Sequence, residues 1–324
     1  MAETLLRPEA VEGDKLFSSN IITLLIFHLL ILGALLPELF SWTGVVLVFV
    51  GNYVFGTLGV NLGFHRLLTH RGFRCPKWLE HTFALLGVCS LQDSPARWVA
   101  IHRMHHKHSD ERPDPHSPLV SLVWGHLGWL LVKNRTFRKR VTLERYTRDL
   151  MQDPFYVRLE RNRCWLWIYL AHALLFFAAG CAAGWLMTGT SRGAIQFGLS
   201  IFVWGVIVRT VFVWHVTWAV NSVAHRWGYR NYQTDDNSRN NWIVALLTSG
   251  EGWHNNHHAS QRSARHGHRW WEIDLTYLTI LSLRTIGLAT DIVPPRIPKR
   301  LRTSPDDFAG VNEPREEDAK RVAA

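Results

Sequence analysis

Four long stretches almost free of charge dictate what this chain can fold into: Ile21 to Leu36, Trp42 to Phe64, Cys164 to Thr188 and Gly193 to Val220. Crossing a hydrocarbon core about 30 Å thick takes roughly 20 helical residues, and only a helix or a closed barrel satisfies the backbone there. Each block therefore reads as a membrane-spanning helix. The first is short, and the fourth contains Arg209, which must pair, face the bundle interior or snorkel, and so reads as structural or substrate-lining. The links Pro37 to Ser41 and Gly189 to Arg192 are only a few residues long, which joins the spans into two helical hairpins. Averaged over 324 residues, 47% hydrophobic and 19% charged side chains look like a soluble protein, but their segregation excludes a freely soluble enzyme. Sixteen Trp and 16 Phe exclude a wholly disordered chain.

Of the 36 Lys and Arg, 34 lie in residues 1–20, 66–164 and 226–324, all on one side of the four spans. The positive-inside rule makes that side cytoplasmic and puts both termini there. The formal charge of +10 then describes a surface beside anionic headgroups, and no nucleic-acid motif accompanies it. Met1 to Asn20 is acidic apart from Arg7 and Lys15, so it lacks the basic start of a secretory signal and the first block stays as an anchor. The expected layout is a cytosolic N-terminal segment (1–20), one membrane domain (21–293) and a charged, disordered cytosolic tail (294–324). Leu79 to Leu91 and Trp242 to Leu247 are too brief to span and read as helices at the interface. Cys75, Cys89, Cys164 and Cys181 form no C-x-x-C pair and read as structural.

Half of the 18 histidines fall into three clusters and one partner: His65 with His70; His102, His105 and His106; His254, His257 and His258; and His225. On a helix, residues i, i+3 and i+4 share a face, so each His-x-x-His-His is expected to put three imidazoles in one patch. Five residues rotate a regular helix by about 140°, so His65 should end the second span and His70 lie just beyond it, where the chain turns. His65 closes a span, His225 follows one, and the triple clusters belong to the basic segments, so all nine converge at one membrane boundary. Nine nitrogens exceed what one ion takes, which makes the site dinuclear, with four or five histidines per ion. Zinc usually settles for three or four ligands, whereas imidazole-rich sites with open positions also suit iron. Asn221, four residues before His225, is placed to reach a metal through water. Glu251 is the best candidate to orient an imidazole, while Asp110 and Asp114 read by default as solvated loop charges. His28, His172 and His215 in the spans, and His81, His108, His116, His126, His266 and His268 elsewhere, read as structural.

These boxes, in this order, with Asn221-Ser-Val-Ala-His225 and with Gly250-Glu251-Gly252-Trp253 before the last, resemble the membrane-bound acyl-CoA delta-9 desaturases, the stearoyl-CoA desaturase family, from about Gly56 to Ile292. The resemblance implies an all-α integral membrane protein: four transmembrane helices in two hairpins, with a cytosolic helical cap holding a histidine-rich di-iron site. It implies His65, His70, His102, His105, His106, His225, His254, His257 and His258 as ligands of two irons, with Asn221 contributing through water. The implied reaction is oxygen-dependent insertion of a cis double bond, of delta-9 type, into a saturated acyl chain held in an apolar tunnel.

Two electrons must come from an external donor such as ferredoxin or cytochrome b5, because the sequence has neither a His-Pro-Gly-Gly haem signature nor a dinucleotide fingerprint. No bound haem or nucleotide is expected. The alternative is a membrane hydroxylase of alkanes or lipids on the same kind of site. A metal transporter would place histidines along a path near the midplane, not at one face. Where animal acyl-CoA enzymes carry an Arg-Asp pair before the second box, this chain has Ala100-Ile101. Arg97, Lys133, Arg135 and Arg138 stand near enough to hold phosphates, so coenzyme A, a carrier protein or a phospholipid remains open as acyl carrier. Counting back from His65 at helical spacing puts Asn61, Leu58 and Val54 on one face, expected to line the inner end of the tunnel.

Overall fold

The computed structural model describes residues 5–296, so the expected tail lies, from residue 297 onward, outside the described residues. Among the described residues the helices that build the site and its supports are α1 (Ser18–Leu35), α2 (Trp42–Thr69), α3 (Lys77–Val88), α4 (Pro95–Lys107), α5 (Cys164–Thr188), α6 (Ser191–His225), α7 (Trp242–Leu247), α8 (His254–Ala259) and α9 (Leu275–Thr285). Four of them, α1, α2, α5 and α6, are long and apolar enough to cross a membrane. The fold is an all-α membrane fold, as the sequence implies. Its one sheet among the described residues is a pair of short strands, β1 (Val11–Leu16) and β2 (Val132–Asn134), antiparallel, with Val11 opposite Asn134 and Leu16 opposite Val132. This pairing ties the N-terminal segment to the cap and sets where α1 begins.

Local chemistry explains the two hairpins. Ser41 caps α2 by accepting from the Gly44 N–H at 3.0 Å, and Thr190 caps α6 by accepting from the Gly193 N–H at 3.1 Å. Gly189, at φ 64°, ends α5 in the left-handed conformation that favours glycine. Around α1 no side chain is buried, and Leu25, Ile26 and Leu29 point outward, as suits a helix against lipid. Arg209, inside α6, turns inward and is fully buried. It donates to the carbonyls of Cys89 (2.6 Å) and Gly205 (3.1 Å), meets His172 Nε2 at 3.0 Å and lies 4.3 Å from the centre of the Phe55 ring. Its role is structural, since it does not line the cavity described below.

Two expectations change. First, α2 does not stop at His65 but runs to Thr69, and from Asn52 onward it is closed by i→i+5 bonds; the His70 N–H donates to the His65 carbonyl at 3.1 Å. Such winding has more residues per turn than a regular helix and is characteristic of functional sites. Residues five apart then fall near one face, which brings the His65 and His70 rings to 4.7 Å. Second, α3 does more than lie on a surface. It packs along α2, burying Leu79 and Phe83 against Leu62 and Leu67, and Ala84 and Val88 against Phe64 and Leu68. By contrast, α7 leaves Trp242, Ile243 and Leu246 exposed, as an interfacial helix should.

The approach of α2 to α3 depends on glycine at both helices. A Cβ on Gly59 would lie 2.3 Å from the Gly87 backbone nitrogen, and one on Gly87 would lie 2.5 Å from the Phe64 ring. Gly59→Val should therefore force the helices apart and lower stability by about 2 kcal/mol or more, at the upper end of typical overpacking penalties. Thermal unfolding of the detergent-solubilised protein checks this; an unchanged midpoint would mean that α3 is free to move.

Candidate dinuclear metal centre and adjoining cavity

Four elements deliver the nine histidines to one place. α2 carries His65 and leads into His70 just past its end, α4 carries His102, His105 and His106, α6 ends at His225, and α8 carries His254, His257 and His258. Ser94 starts α4 by accepting from the Arg97 N–H, with Pro95 at the first helical position, so the second cluster is held in regular helix.

The imidazoles form two groups whose ligand atoms all lie within 4.8 Å of one another: His65, His70, His102, His106 and His257 in one, and His105, His225, His254 and His258 in the other. Neither His-x-x-His-His serves one patch, contrary to expectation. In α4 the i, i+4 pair His102 and His106 joins the first group and His105 the second; in α8 the pair His254 and His258 joins the second and His257 the first. The reason is rotational: i and i+4 differ by about 40°, whereas i+3 and i+4 are adjacent residues about 100° apart. Two helices crossing between the groups thus each supply both.

Carboxylates decide which nitrogen faces inward. His65 Nδ1 lies 2.7 Å from Glu251, His105 Nδ1 2.9 Å from Asp114, His225 Nδ1 3.0 Å from Asp110 and His258 Nδ1 2.5 Å from Asp236. An Nδ1–H donating to a carboxylate leaves the Nε2 lone pair free to bind a metal. Nε2 atoms crowd accordingly, with His65 to His257 at 3.2 Å, His257 to His106 at 2.9 Å, His106 to His102 at 3.0 Å and His254 to His225 at 3.0 Å. The buried Nε2 atoms of His70, His105 and His258 have no hydrogen-bond partner among the described residues. Orphaned buried acceptors converging in two groups fit two metal ions.

The supports are themselves anchored. Arg66, fully buried, grips Glu251 through two nitrogens (3.0 and 2.9 Å), Asp274 at 2.9 Å and the Ala264 carbonyl at 2.7 Å. Burial alone would raise the Glu251 carboxyl, but Arg66 and the adjoining imidazoles hold it well below the usual range. Asp110 and Asp236 are likewise held down against the effect of burial, chiefly by His225 and His258 respectively. Burial first, and neighbouring imidazoles second, lower His102, His106, His254 and His257 well below the ordinary histidine value, which keeps them neutral as metal ligands must be.

Several assignments move. Asp110 and Asp114 are not solvated loop charges, since their side chains are 4% and 0% exposed. Asp236 had no sequence signal, lying in a polar loop far from any box. His116 and His266, read as structural, sit against the centre: the His116 ring is 4.5 Å from His105, and the His266 ring 4.4 Å from His257, with Nδ1 3.1 Å from Glu251. Burial and His105 push His116 down to about 3, and burial and Arg66 push His266 down to about 4.

A cavity of about 400 Å³ adjoins the histidines, reaching His102, His116 and Asn221, and is walled by apolar side chains from α1, α4, α5 and α6. Arg97 lines it, but its guanidinium is taken by Glu160 at 3.0 Å. Lys133 is exposed and does not line it, although Val132 and Asn134 on either side do. Val54, Leu58 and Asn61 do not line it either. α2 packs on α3 instead, with Leu58 against that core, and Asn61 donates to the Thr248 carbonyl at 2.7 Å. Regular helical spacing does not apply along this stretch, because the i→i+5 winding shifts the face.

Asp236→Asn replaces the acceptor that fixes His258. It should weaken metal retention by about 10 to 100-fold, the usual loss for such a supporting group, while the fold survives. Chelator titration followed by metal analysis reads this; wild-type retention would show that His258 is oriented by packing alone.

Residues 40–281 match the family model described as Fatty acid desaturase. The chain is 45% identical to the sn-1 stearoyl-lipid 9-desaturase of Synechocystis sp., over 83% of this chain and 78% of that protein. It is 39% identical to the sn-2 palmitoyl-lipid 9-desaturase of Nostoc sp. (88% and 93% covered), and 43% identical to the acyl-CoA C20 Delta5-desaturase of Anemone leveillei (85% and 84%). With its paired histidine groups beside an apolar cavity, this chain belongs to the fatty acid desaturase family.

Proposed function

We propose that the protein inserts a cis double bond, of delta-9 type, into the acyl chain of a membrane lipid, using molecular oxygen, two irons and two electrons from an external carrier such as ferredoxin or cytochrome b5. The observation that carries this reading is the meeting of paired all-imidazole groups with an apolar cavity, whose wall includes His102 of the five-histidine group and His116, packed on His105 of the other. Two irons held there would supply oxygen activation and oxidation of an unactivated methylene pair. The ligands are the nine box histidines, with Asn221, on the cavity wall four residues before His225, acting through water. Glu251, Asp110, Asp114 and Asp236 keep the imidazoles aimed. The apolar wall excludes bulk water and holds the acyl chain by shape, the only feature such a chain offers. The hydroxylase alternative has no particular observation in its favour, and the relatives named above are desaturases.

The choice of carrier rests on the cavity mouth. A coenzyme A head group needs several cations for its phosphates, yet of the two arginines lining the cavity Arg97 is held between Glu160 and Asp93, Ala100-Ile101 offers no charge, and Arg163 alone stands exposed. The cavity is also flanked by two spans, α1 and α5, where Leu170 is exposed, a position from which a chain esterified in the bilayer can enter sideways. The basic surface and the even number of spans support a cytoplasmic site with both termini on that side.

In a host lacking delta-9 activity, the wild type should produce cis-9 unsaturated membrane lipid. His105→Ala, His225→Ala and His257→Ala should each abolish the product while still inserting into the membrane, because apolar packing holds the spans. Saturated phospholipid in vesicles should be a better substrate for the purified enzyme than acyl-CoA. Hydroxylated product, or activity in any of the three variants, would contradict the reading.

Chain direction locates the deep end of the cavity. Phe27 is the innermost lining residue of α1, Tyr169 and Leu170 of α5, and Trp214 of α6, and Phe27 packs on Trp214 and Tyr169 with ring centres 5.1 and 6.1 Å apart. Phe27→Ala should open this floor. Each buried methylene contributes about 0.8 kcal/mol, so room for two more should shift preference toward longer chains roughly tenfold. Competition between acyl lipids of graded length reads the shift, and Val54→Trp, off the cavity, should leave the profile unchanged.

A further inference from the structure

A second opening reaches the histidines by a different route. It also holds about 400 Å³ and is lined by Thr69, His70, Arg71, Arg103, His106, Lys107, Gln261 and Arg262, none of which lines the acyl cavity. Its lining includes two members of the five-histidine group, and its rim carries four cations. Arg71 and Arg103 are steadied by Asp149 at 2.7 and 2.8 Å, and Arg71 also lies 3.7 Å from Glu80. Lys107 and Arg262 are exposed and ion-pair with no carboxylate among the described residues. The rim is therefore positive after its internal pairs are counted, and its cations line the same opening as His70 and His106.

We propose that this basic opening is the electron entry port, where an acidic one-electron carrier protein docks with its redox group facing His70 and His106. The proposal rests on the desaturase reading, whose balance demands a reductant: a CH2–CH2 pair, O2, two electrons and two protons give CH=CH and two waters. Two C–H bonds break, the carbon pair is oxidised by two electrons, the carrier supplies two more, and O2 takes all four. Two sequential visits of a reduced one-electron carrier meet that need. The acyl cavity cannot serve, since the substrate fills it. A rim of unpaired cations steers an acidic partner and fixes its orientation, while the short path through one imidazole layer sets the contact point. Lys107 and Arg262 flank the opening from α4 and from the loop after α8, so the partner would bridge the two elements that supply both histidine groups.

The test uses the full-length, iron-loaded enzyme in vesicles, with a plant-type acidic ferredoxin, its reductase and NADPH as the electron source. The double variant Lys107→Glu with Arg262→Glu should raise the KM for ferredoxin tenfold or more with little change in kcat. It should also flatten the dependence of KM on ionic strength, which in the wild type should rise steeply with salt. Single-turnover desaturation by enzyme reduced beforehand with dithionite, with no carrier present, should match the wild type. An unchanged ferredoxin KM would overturn the port, including the outcome in which the variant only partitions less to anionic vesicles. Failure of the wild type itself to form product in the single turnover would instead overturn the desaturase reading, so the two failures are distinguishable.

Discussion

Everything at this centre depends on the hydrogen bond between a carboxylate and the outer nitrogen of a metal-facing imidazole. Four such pairs fix four tautomers and aim four lone pairs inward before any ion arrives. Burying four carboxylates beside a cluster of imidazoles is unfavourable unless each is fully paired. The structure meets that demand with Arg66 for Glu251, the Ser117 hydroxyl and the Asn237 N–H for Asp110, the Asp110 and His116 N–H groups for Asp114, and the Ser238 N–H for Asp236. Removing an acceptor leaves its imidazole free to rotate, which links segments far apart in sequence to the geometry of one site.

The same demand explains the cap. Asp110 binds both His225 at the end of α6 and the backbone of the loop that carries Asp236, while Arg66 on α2 reaches Glu251 and Asp274 on the final segment. Polar bonds thus cross-link the ends of two spans to the segments that cap them, whereas deeper in the spans apolar packing and close glycine contacts are joined by the buried bonds of Arg209. The boundary between these regimes is where the cavity meets the histidines, so the apolar side chains of α1, α4, α5 and α6 lead to the imidazoles.

Much of this was legible in the residues. Charge-free blocks gave the four spans to within a few positions, and nine histidines in boxes gave the ligand candidates and the need for two ions. What could not be read was rotation. Periodicity assumes regular winding, and α2 breaks it where i→i+5 bonds set in, which both brings His70 onto the site and takes Val54, Leu58 and Asn61 off the expected face. Which group each histidine of a box serves depends on where its helix crosses the site, a tertiary fact. Asp236 and His266 were invisible for a related reason: nothing in their local sequence distinguishes a buried partner from an ordinary polar residue, and only the fold brings them to a box.

The central claim is that the nine imidazoles divide into a group of five and a group of four, each holding its own iron. X-ray absorption at the iron edge, with metal analysis of the same active, purified sample, tests this most directly. The account predicts two irons per chain, each surrounded mainly by imidazole nitrogen, with about four to five nitrogens per iron on average. One iron per chain at full activity, or a shell dominated by carboxylate oxygen, would contradict it.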